Sequence, residues 1–225
     1  MKSEIDWEST NKIVAEGLYS GFAKTLFNIS HNNLSKFANI NLKSGARILE
    51  IGAGRGEHFK FLRKDFSEYL MTDLTDWGKS EISIISQSDN RVKFMLANVE
   101  KLEFPDKYFD LVIMSCVISH VDEPYQAMKE LQRVTKSGGI CSFFISADPG
   151  VLLRIIRTMV TKPKMKSLKE PYNLVNAISH RNSANGLIIM AKRIFKNDSV
   201  KIKYYPFSIR SWNFSTHIVV NVIVK

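Results

Sequence analysis

An acid followed by three glycines at alternate positions is the pattern in this chain that most clearly suggests chemistry. Gly52, Gly54 and Gly56 follow the apolar run 47–51, which contains Glu50, and an amphipathic segment begins at Phe59. This pattern predicts a strand, a tight turn and a helix. Glycines allow a sharp turn and let a ligand approach without a Cβ in the way. The following helix would direct unpaired N–H groups at that ligand, so we expect a nucleotide-like cofactor here.

The spacing of the glycines separates the possible cofactors. No Gly-Lys-Ser/Thr follows Gly56, so the phosphate-binding loop of nucleotide hydrolases is excluded. A dinucleotide site would place glycine at position 57, where this chain has Glu57. A carboxylate at position 50 repels phosphate but suits a cofactor with a positive end. S-adenosylmethionine (SAM) carries an ammonium and a sulfonium, and the pattern favours it.

Further segments follow the glycines in a recognisable order. A strand at 68–74 ends in Asp73, and 92–100 forms a third strand with its exit at Asn98. Segment 102–115 leads into a fourth strand, 119–124 resembles its exit, and 130–139 resembles a helix and glycine turn before a fifth strand. Residues 40–150 therefore resemble the class I SAM-dependent methyltransferases, in the branch of small, stand-alone enzymes.

The resemblance implies a set of cofactor contacts. Asp73 would accept hydrogen bonds from the ribose hydroxyls, Leu74 would pack on the adenine, and Asn98 would accept from the adenine amino group, where the family commonly has Asp. Tyr19 either closes over the methionine end of the cofactor or packs its helix on the sheet. The predicted cofactor-binding residues are Glu50, Gly52, Ala53, Gly54, Gly56, Asp73, Leu74, Asn98, Val99, Ser115 and Tyr19.

The elements that must position these residues alternate along the chain. Strands and helices alternate over 45–147, helices are expected over 8–40, 151–160 and 182–196, and two strands close the chain at 200–206 and 216–224. We expect an α/β fold with a Rossmann-like, seven-stranded, mostly parallel sheet, helices on both faces and the last strand antiparallel. The single domain 1–225 divides into a helical cap (1–40), a SAM-binding core (41–150), a basic substrate-side insertion with a helix (151–199) and closing strands (200–225).

Two histidines are candidates for the base that removes a proton from the acceptor. His120 leaves the fourth strand at its carboxyl end, where α/β sheets bind ligands, and the family often has His there. His180 precedes a helix in the variable half. Either residue could instead be structural, His120 by ordering the strand exit and His180 by standing at a helix entry.

The remaining histidines and the acids give weaker signals. His58 is expected at the surface or at the rim of the cofactor site, while His31 and His217 suggest no role. Asp122 and Asp148 could share a divalent ion, but no third ligand is identifiable, so no metal is predicted. Cys116 and Cys141 are expected in buried strands as core thiols.

Positive charge is concentrated in the substrate-side half. Residues 151–225 hold 14 Lys and Arg against Glu170 and Asp198, a net +12, whereas residues 1–150 carry −2. Such a field favours anionic partners. The segment 151–169 has six cations and no acid, and its apolar residues predict either an interfacial helix at a membrane surface or a solvated cover over the core.

The sequence thus predicts a cytoplasmic SAM-dependent methyltransferase. The acceptor would be an O or N atom of an anionic small molecule or glycan, such as a nucleotide- or lipid-linked sugar of surface polysaccharide synthesis. The alternatives are an RNA methyltransferase and a non-catalytic SAM-binding partner. Nucleic acid is disfavoured because the Asn/Asp-Pro-Pro-aromatic motif is missing after the fourth strand, where 115–118 reads Ser-Cys-Val-Ile.

Overall fold

A computed structural model describes residues 5–225 and contains one seven-stranded sheet. The strands are β1 (Ala46–Ile51), β2 (Phe66–Asp73), β3 (Val92–Leu96), β4 (Phe109–Met114), β5 (Thr135–Ser146), β6 (Ser199–Pro206) and β7 (Ser215–Ile223). Their order is β3-β2-β1-β4-β5-β7-β6. β1 to β5 pair in parallel, while β7 is antiparallel to both β5 and β6. The predicted Rossmann-like fold with an inserted antiparallel last strand is confirmed.

Seven helices flank the sheet within the described residues. They are α1 (Trp7–Leu18), α2 (Gly21–Asn41), α3 (Lys79–Ser88), α4 (Pro124–Val134), α5 (Val151–Ile156), α6 (Tyr172–Ser179) and α7 (Ala184–Ile194). A π turn (Arg157–Thr161) and a 3₁₀ turn (Lys162–Lys164) continue α5. The helices expected over 8–40, 151–160 and 182–196 are present, although Tyr19 and Ser20 separate α1 from α2. The first four residues of the predicted cap lie outside the described residues.

Two hydrophobic cores cover the two faces of the sheet, because successive strand residues point to opposite sides. On one face, Leu34 of α2 and Ile82 of α3 pack on Ile48 and Ile113. On the other face, Leu131 of α4 and Leu187 of α7 pack on Leu49 and neighbouring strand residues. Helices therefore lie on both faces, as the sequence predicted.

The connection between β1 and β2 corrects one prediction. Residues 52–65, all of them described, form a glycine turn and a 3₁₀ turn at Phe59–Phe61 but no α-helix. The apolar residues that suggested a helix have another use: Phe59 packs edge-on against Phe66 and Tyr69. Only nine residues separate Gly56 from the start of β2 at Phe66, which leaves little room for a helix. The expected helix N-terminus facing the cofactor is therefore wrong.

The two cysteines differ in position. Cys141 lies in β5 and is fully buried, as predicted. Cys116 follows β4 in an irregular turn with a φ of 61°, so its predicted place in a strand is wrong. Both thiols are free, and burial raises the pKa of Cys116 to about 12.

Candidate active site

The glycine turn lies at the carboxyl end of β1 and is stabilised by backbone contacts. Gly52, Gly54 and Gly56 all have positive φ, at 68°, 55° and 78°. A Cβ on Gly52 would lie 2.0 Å from Cγ2 of Val117, and one on Gly56 would lie 2.8 Å from Cδ1 of Ile85. These positions therefore require glycine for both conformation and space. The Ala53 N–H donates to the Thr72 carbonyl at 2.9 Å and joins the turn to β2.

Asp73 ends β2 beside this turn. Its Oδ2 accepts a hydrogen bond from the Gly54 N–H at 2.9 Å, so the carboxylate and the turn hold each other in place. Leu74, the next residue, is 69% exposed and free to contact a ligand. Asp73, the predicted ribose acceptor, and Leu74, the predicted adenine contact, therefore lie at the same edge of the sheet as the glycines. Their roles in cofactor binding remain predictions.

Glu50 lies inside the protein rather than at the surface of the cleft. It is 1% exposed, and its Oε2 accepts a hydrogen bond of 2.7 Å from the Tyr69 hydroxyl. Burial raises the pKa of Glu50 to about 8, with smaller contributions from the nearby charges of Glu57 and Asp73. Burial also raises the pKa of Glu57. Removal from water is therefore the main cause of both raised pKa values.

Residues at the exits of β3 and β4 complete the predicted cofactor set. The Asn98 side chain is exposed, but its Oδ1 already accepts from the Glu100 N–H at 2.9 Å. Val99 is buried in the core below α4. Ser115 is buried directly after β4, with its Oγ 3.4 Å from Nδ1 of His31. The Glu100 carboxylate accepts N–H groups of Asp122 and Glu123, which ties the two strand exits together.

A buried histidine pair next to the glycine turn was not predicted. Nδ1 of His31 lies 2.8 Å from Nδ1 of His58, so one nitrogen donates and the other accepts. Nε2 of His58 contacts Ser35 Oγ at 2.9 Å, and Nε2 of His31 contacts the Tyr19 hydroxyl at 3.3 Å. Burial lowers the pKa of His31 to about 3 and lowers that of His58 well below its usual value. Both rings are therefore neutral at physiological pH.

The positions of His31 and His58 differ from what the sequence suggested. His58 is 1% exposed, so its predicted surface position is wrong. His31, from which nothing was predicted, is the centre of the network. Tyr19 ends α1, and its ring packs edge-on against Phe27 as well as contacting His31. Burial raises the pKa of Tyr19 far above its usual value, so the phenol stays protonated.

The two predicted catalytic histidines lie together at the exits of β4 and β5. The rings of His120 and His180 contact edge to face, with centroids 4.4 Å apart. Nδ1 of His120 donates to the Ser179 carbonyl at 2.8 Å, which fixes the proton on that nitrogen. Its Nε2 has no hydrogen-bond partner within residues 5–225. The pKa of His120 is lowered to about 4, mainly by burial and to a smaller extent by the nearby His180.

Asp148, two residues after the end of β5, orients the second histidine. Its Oδ2 lies 2.9 Å from Nδ1 of His180 and 2.8 Å from an Arg157 guanidinium nitrogen. Burial opposes ionisation of Asp148, but hydrogen bonds from His180 and Arg157 outweigh it and hold the pKa of this carboxyl below its usual range. Ser146 Oγ also donates to Asp148 at 3.0 Å. The result is a carboxylate–imidazole pair beside a second imidazole with a free nitrogen.

Backbone contacts lock this cluster onto the cofactor side of the sheet. The N–H groups of Arg181 and Asn182 both donate to the Ser119 carbonyl, and the Ala184 N–H donates to that of Asp148. Asp122, a candidate metal ligand in the sequence, pairs instead with Arg181. Across residues 5–225, no group of three or more His, Cys, Asp or Glu side chains is arranged to hold a metal ion.

Comparison with known proteins agrees with this architecture. Residues 49–143 match the family model described as a methyltransferase domain. These residues form a methyltransferase domain, and the sheet that contains them has the class I SAM-dependent methyltransferase fold. The matched residues run from β1 into β5 and include the glycine turn, Asp73 and His120. The family implies SAM as the methyl donor.

Curated relatives extend the match beyond that core. The chain is 25% identical over 176 residues to the ubiquinone/menaquinone biosynthesis C-methyltransferase of Pseudomonas putida, covering 75% of this chain and 60% of that enzyme. It is 31% identical over 108 residues to an uncharacterized methyltransferase of Schizosaccharomyces pombe, covering 44% of this chain and 39% of the relative. The chain thus spans about three fifths or less of these relatives.

Solved structures share the fold at low identity. The CurJ carbon methyltransferase superposes with a TM-score of 0.65 at 16% identity, covering 94% of this chain and 58% of that one. A SAM-dependent methyltransferase of Mesorhizobium loti superposes with a TM-score of 0.54 at 14% identity, covering 80% of this chain and 91% of that one. At this identity the likeness supports the fold alone.

Proposed function

We propose that this methyltransferase transfers the methyl group of SAM to an oxygen or nitrogen of an anionic small-molecule or glycan acceptor. One observation carries the proposal: His120 presents a neutral imidazole with an unbonded Nε2 beside the Asp148–His180 pair. A neutral nitrogen of this kind can take the proton that a hydroxyl or amine loses when it becomes methylated. The +12 charge of residues 151–225 favours the anionic class of acceptor.

The residues around the glycine turn fit SAM. Burial raises the pKa of Glu50 to about 8, so a cation placed near it would favour its ionised form. When bound, SAM supplies an electrophilic methyl group on its sulfonium, and its ammonium supplies such a cation. Oδ2 of Asp73 is already fixed by the Gly54 N–H. Its Oδ1 accepts only a long hydrogen bond of 3.4 Å from the Thr75 N–H and can also accept one from a ribose hydroxyl. We assign recognition of the cofactor to these acids and to the three glycines.

His180, held by Asp148, acts as a positioning residue for His120. The His180 ring contacts the His120 ring edge to face, and this contact restricts the rotamers that the His120 side chain can adopt. The Asp148 carboxylate also stabilises positive charge that develops on the imidazole pair when a proton arrives. Alignment of the acceptor in line with the methyl group supplies the rest of the rate enhancement.

A second candidate reaction is methylation of carbon. The Pseudomonas putida relative is named as a C-methyltransferase of quinone biosynthesis. Removal of a proton from a ring hydroxyl makes the conjugated ring carbon nucleophilic, so the same histidine serves either outcome. RNA methylation has less support, because 115–118 lacks the base-methylation motif. A protein that only binds SAM would not need the unbonded Nε2 of His120, so the non-catalytic alternative also has less support.

The proposed role of Glu50 is tested by proton release on SAM binding. With a pKa of about 8, the Glu50 carboxyl is mostly protonated at pH 7, and a bound cation should displace that proton. Calorimetry at pH 7 in buffers of different ionisation enthalpy should therefore show release of up to about one proton per SAM. Glu50→Gln should abolish most of this release and weaken SAM binding by about 10- to 100-fold.

The same variant should stabilise the protein without SAM. Glu50 in the unfolded chain loses its proton near 4.5, whereas in the native state it keeps the proton up to about 8, so native stability falls as pH rises between these values. Glu50→Gln removes this loss and should raise the free energy of unfolding at pH 8 by about 1–3 kcal/mol. As a control, Asp73→Ala should cripple SAM binding but keep most of the pH slope, because burial rather than the Asp73 charge is the main cause of the raised pKa of Glu50. Absence of buffer-dependent heat in the wild type would contradict the assignment.

The acceptor is found by a transfer assay. The protein, supplied with SAM carrying an isotopically labelled methyl group, should label a component of a cell extract, and mass spectrometry should place the label on O, N or C. Labelling of RNA instead would overturn the proposed acceptor class. Binding of SAM with no labelled product from any extract would favour the non-catalytic alternative.

A further inference from the structure

The helix that carries Arg157 into the active site exposes an apolar stripe on its opposite side. Val151, Ile155 and Met159 are spaced by four residues and are 56%, 50% and 74% exposed. They line a shallow groove together with Arg154 and Thr158. Side chains at this spacing lie on one face of a helix. Water therefore contacts a continuous row of aliphatic side chains along α5 and the π turn.

A neighbouring loop adds further apolar surface. The turn Trp212–Phe214, between β6 and β7, packs against α5. The contact is close, since a Cβ on Gly150 would lie 2.2 Å from the Trp212 carbonyl oxygen. This loop exposes Phe207, Ile209 and Phe214 by 62%, 49% and 56%. We call the combined surface of Val151, Ile155, Met159, Phe207, Ile209 and Phe214 the apolar rim.

Cations of this helical segment and of the loop that follows it accompany the apolar rim. Arg154, Lys162, Lys166 and Lys169 are exposed, and none of them forms an ion pair with any residue of 5–225. Arg157 and Lys164, by contrast, are engaged by Asp148 and by Ser20. The sequence places no acid between Asp148 and Glu170. The four free cations therefore leave a positive charge next to exposed apolar side chains.

We propose that the apolar rim and these cations dock the protein on an anionic lipid bilayer. A helix of this kind lies in the plane of the interface, with its apolar side chains among the upper acyl chains and its cations among the headgroups. The apolar rim favours a bilayer over nucleic acid, because only Phe207 and Phe214 of its six side chains have rings that could stack on bases. The other four side chains are suited to acyl chains, and the cations match anionic headgroups. This docking does not depend on the proposed methyl transfer.

The docked orientation places the active site next to the membrane. Arg157 begins the π turn and contacts Asp148, while Met159, two residues later, belongs to the apolar rim. One short segment thus forms a wall of the histidine pocket and the surface that meets lipid. An acceptor anchored in the bilayer would reach the pocket without crossing the aqueous phase.

Vesicle binding tests this proposal with the full chain. Vesicles of phosphatidylcholine containing 30% phosphatidylglycerol should co-sediment the wild-type protein, and pure phosphatidylcholine vesicles should co-sediment much less. Ile155→Glu with Met159→Glu should lower the partition coefficient at least about 10-fold, because it removes two inserted side chains and adds repulsion from the headgroups. The matched control is Ile40→Glu with Ile84→Glu, at positions 70% and 68% exposed on α2 and α3, which should bind like the wild type.

The outcomes of this experiment distinguish docking through the apolar rim from nonspecific binding to vesicles. Equal losses in the rim and control variants, or no binding of the wild type to anionic vesicles, would overturn the proposal. Binding of a single-stranded RNA in place of vesicles would also overturn it. Lys162→Glu with Lys166→Glu keeps the apolar rim and should lower binding to anionic vesicles about 10-fold or more. Thermal unfolding of each variant shows whether it is folded, which is expected because every changed side chain is exposed.

Discussion

The molecule contains two pairs of contacting histidines that differ in one respect. In the pair beside the glycine turn, all four ring nitrogens of His31 and His58 have protein partners. In the pair at the exits of β4 and β5, Nε2 of His120 has none among the described residues. Burial lowers the pKa of both His31 and His120, to about 3 and about 4. A low pKa therefore does not separate the two pairs, whereas unused hydrogen-bonding capacity does.

The difference has a physical basis in what surrounds each pair. The His31–His58 pair is fully enclosed by α2, the 3₁₀ turn and Tyr19, and its nitrogens satisfy each other and two hydroxyls. Leaving any of these groups unpaired in the interior would be costly. The His120–His180 pair lies where two strands end, and its anchoring partners, the Ser179 carbonyl and Asp148, use only one side of each ring. The first pair is therefore fully satisfied within the fold, whereas the second keeps one ring nitrogen for the proposed acceptor.

The largest effect should come from His120→Ala. Loss of a base that removes the acceptor proton should lower kcat by about 10²- to 10⁴-fold. Because His120 does not contribute to the glycine turn, SAM affinity, measured by titration, should change less than about 3-fold. His120→Asn is a second variant that retains some polarity and should recover little of the rate. Unchanged kcat in both variants would assign proton removal to another group.

A change in the other pair should affect stability rather than chemistry. His58→Ala leaves a cavity and unpairs His31 Nδ1 and Ser35 Oγ, so the free energy of unfolding should fall by about 2–4 kcal/mol. Chemical denaturation measures this loss directly. At a temperature where the variant is folded, kcat per folded molecule should stay within about 3-fold of the wild type. A large loss of kcat with stability preserved would show that the two pairs are not different in kind.

The smallest effect is a change in the pH dependence of stability. Histidine in the unfolded chain gains a proton near 6.5, but His31 and His58 in the native state resist protonation to much lower pH. The unfolded state therefore binds more protons below 6.5, and native stability falls as pH decreases. Between pH 6.5 and 5.5 each unprotonated ring should cost about 1 kcal/mol, so the doubly substituted His31→Gln/His58→Gln protein should lose about 2 kcal/mol less than the wild type. Denaturation curves at these two pH values give the comparison, and identical slopes would contradict the burial of neutral rings.

The sequence was most informative where function requires a local pattern. The glycine turn, the acid at the end of β2 and the order of the strands follow from residues close together in the chain, and the structure confirms the fold that they predict. His120 and His180 were singled out separately for their positions at strand and helix ends. Their direct contact, and the part played by Arg157, depend on how residues 179–184 cross the exit of β4, which no local pattern encodes.

The errors have equally specific causes. The residues Phe59, Phe61 and Phe66 have a helix-like spacing, but Phe66 begins β2 and Phe59 fills the gap beneath it, so tertiary packing overrides periodicity. The His31–His58 contact joins residues 27 positions apart, in α2 and in the turn before Phe59. The one usable signal was that His31 falls on the inward face of the amphipathic α2 helix, next to Leu34. A histidine at such a position needs a buried partner.

Both outer strands of the sheet have features that discourage pairing with another chain. β6, at one edge, carries Lys201 and Lys203 and ends at Pro206, which has no N–H to donate. β3, at the other edge, is five residues long and carries Lys93, which pairs with Glu68 of β2. Charged side chains, proline and short length all protect unpaired strand edges from intermolecular β-sheet growth. Both edges of the sheet therefore resist the addition of a strand from another molecule, which would protect the protein from aggregation at a high local concentration.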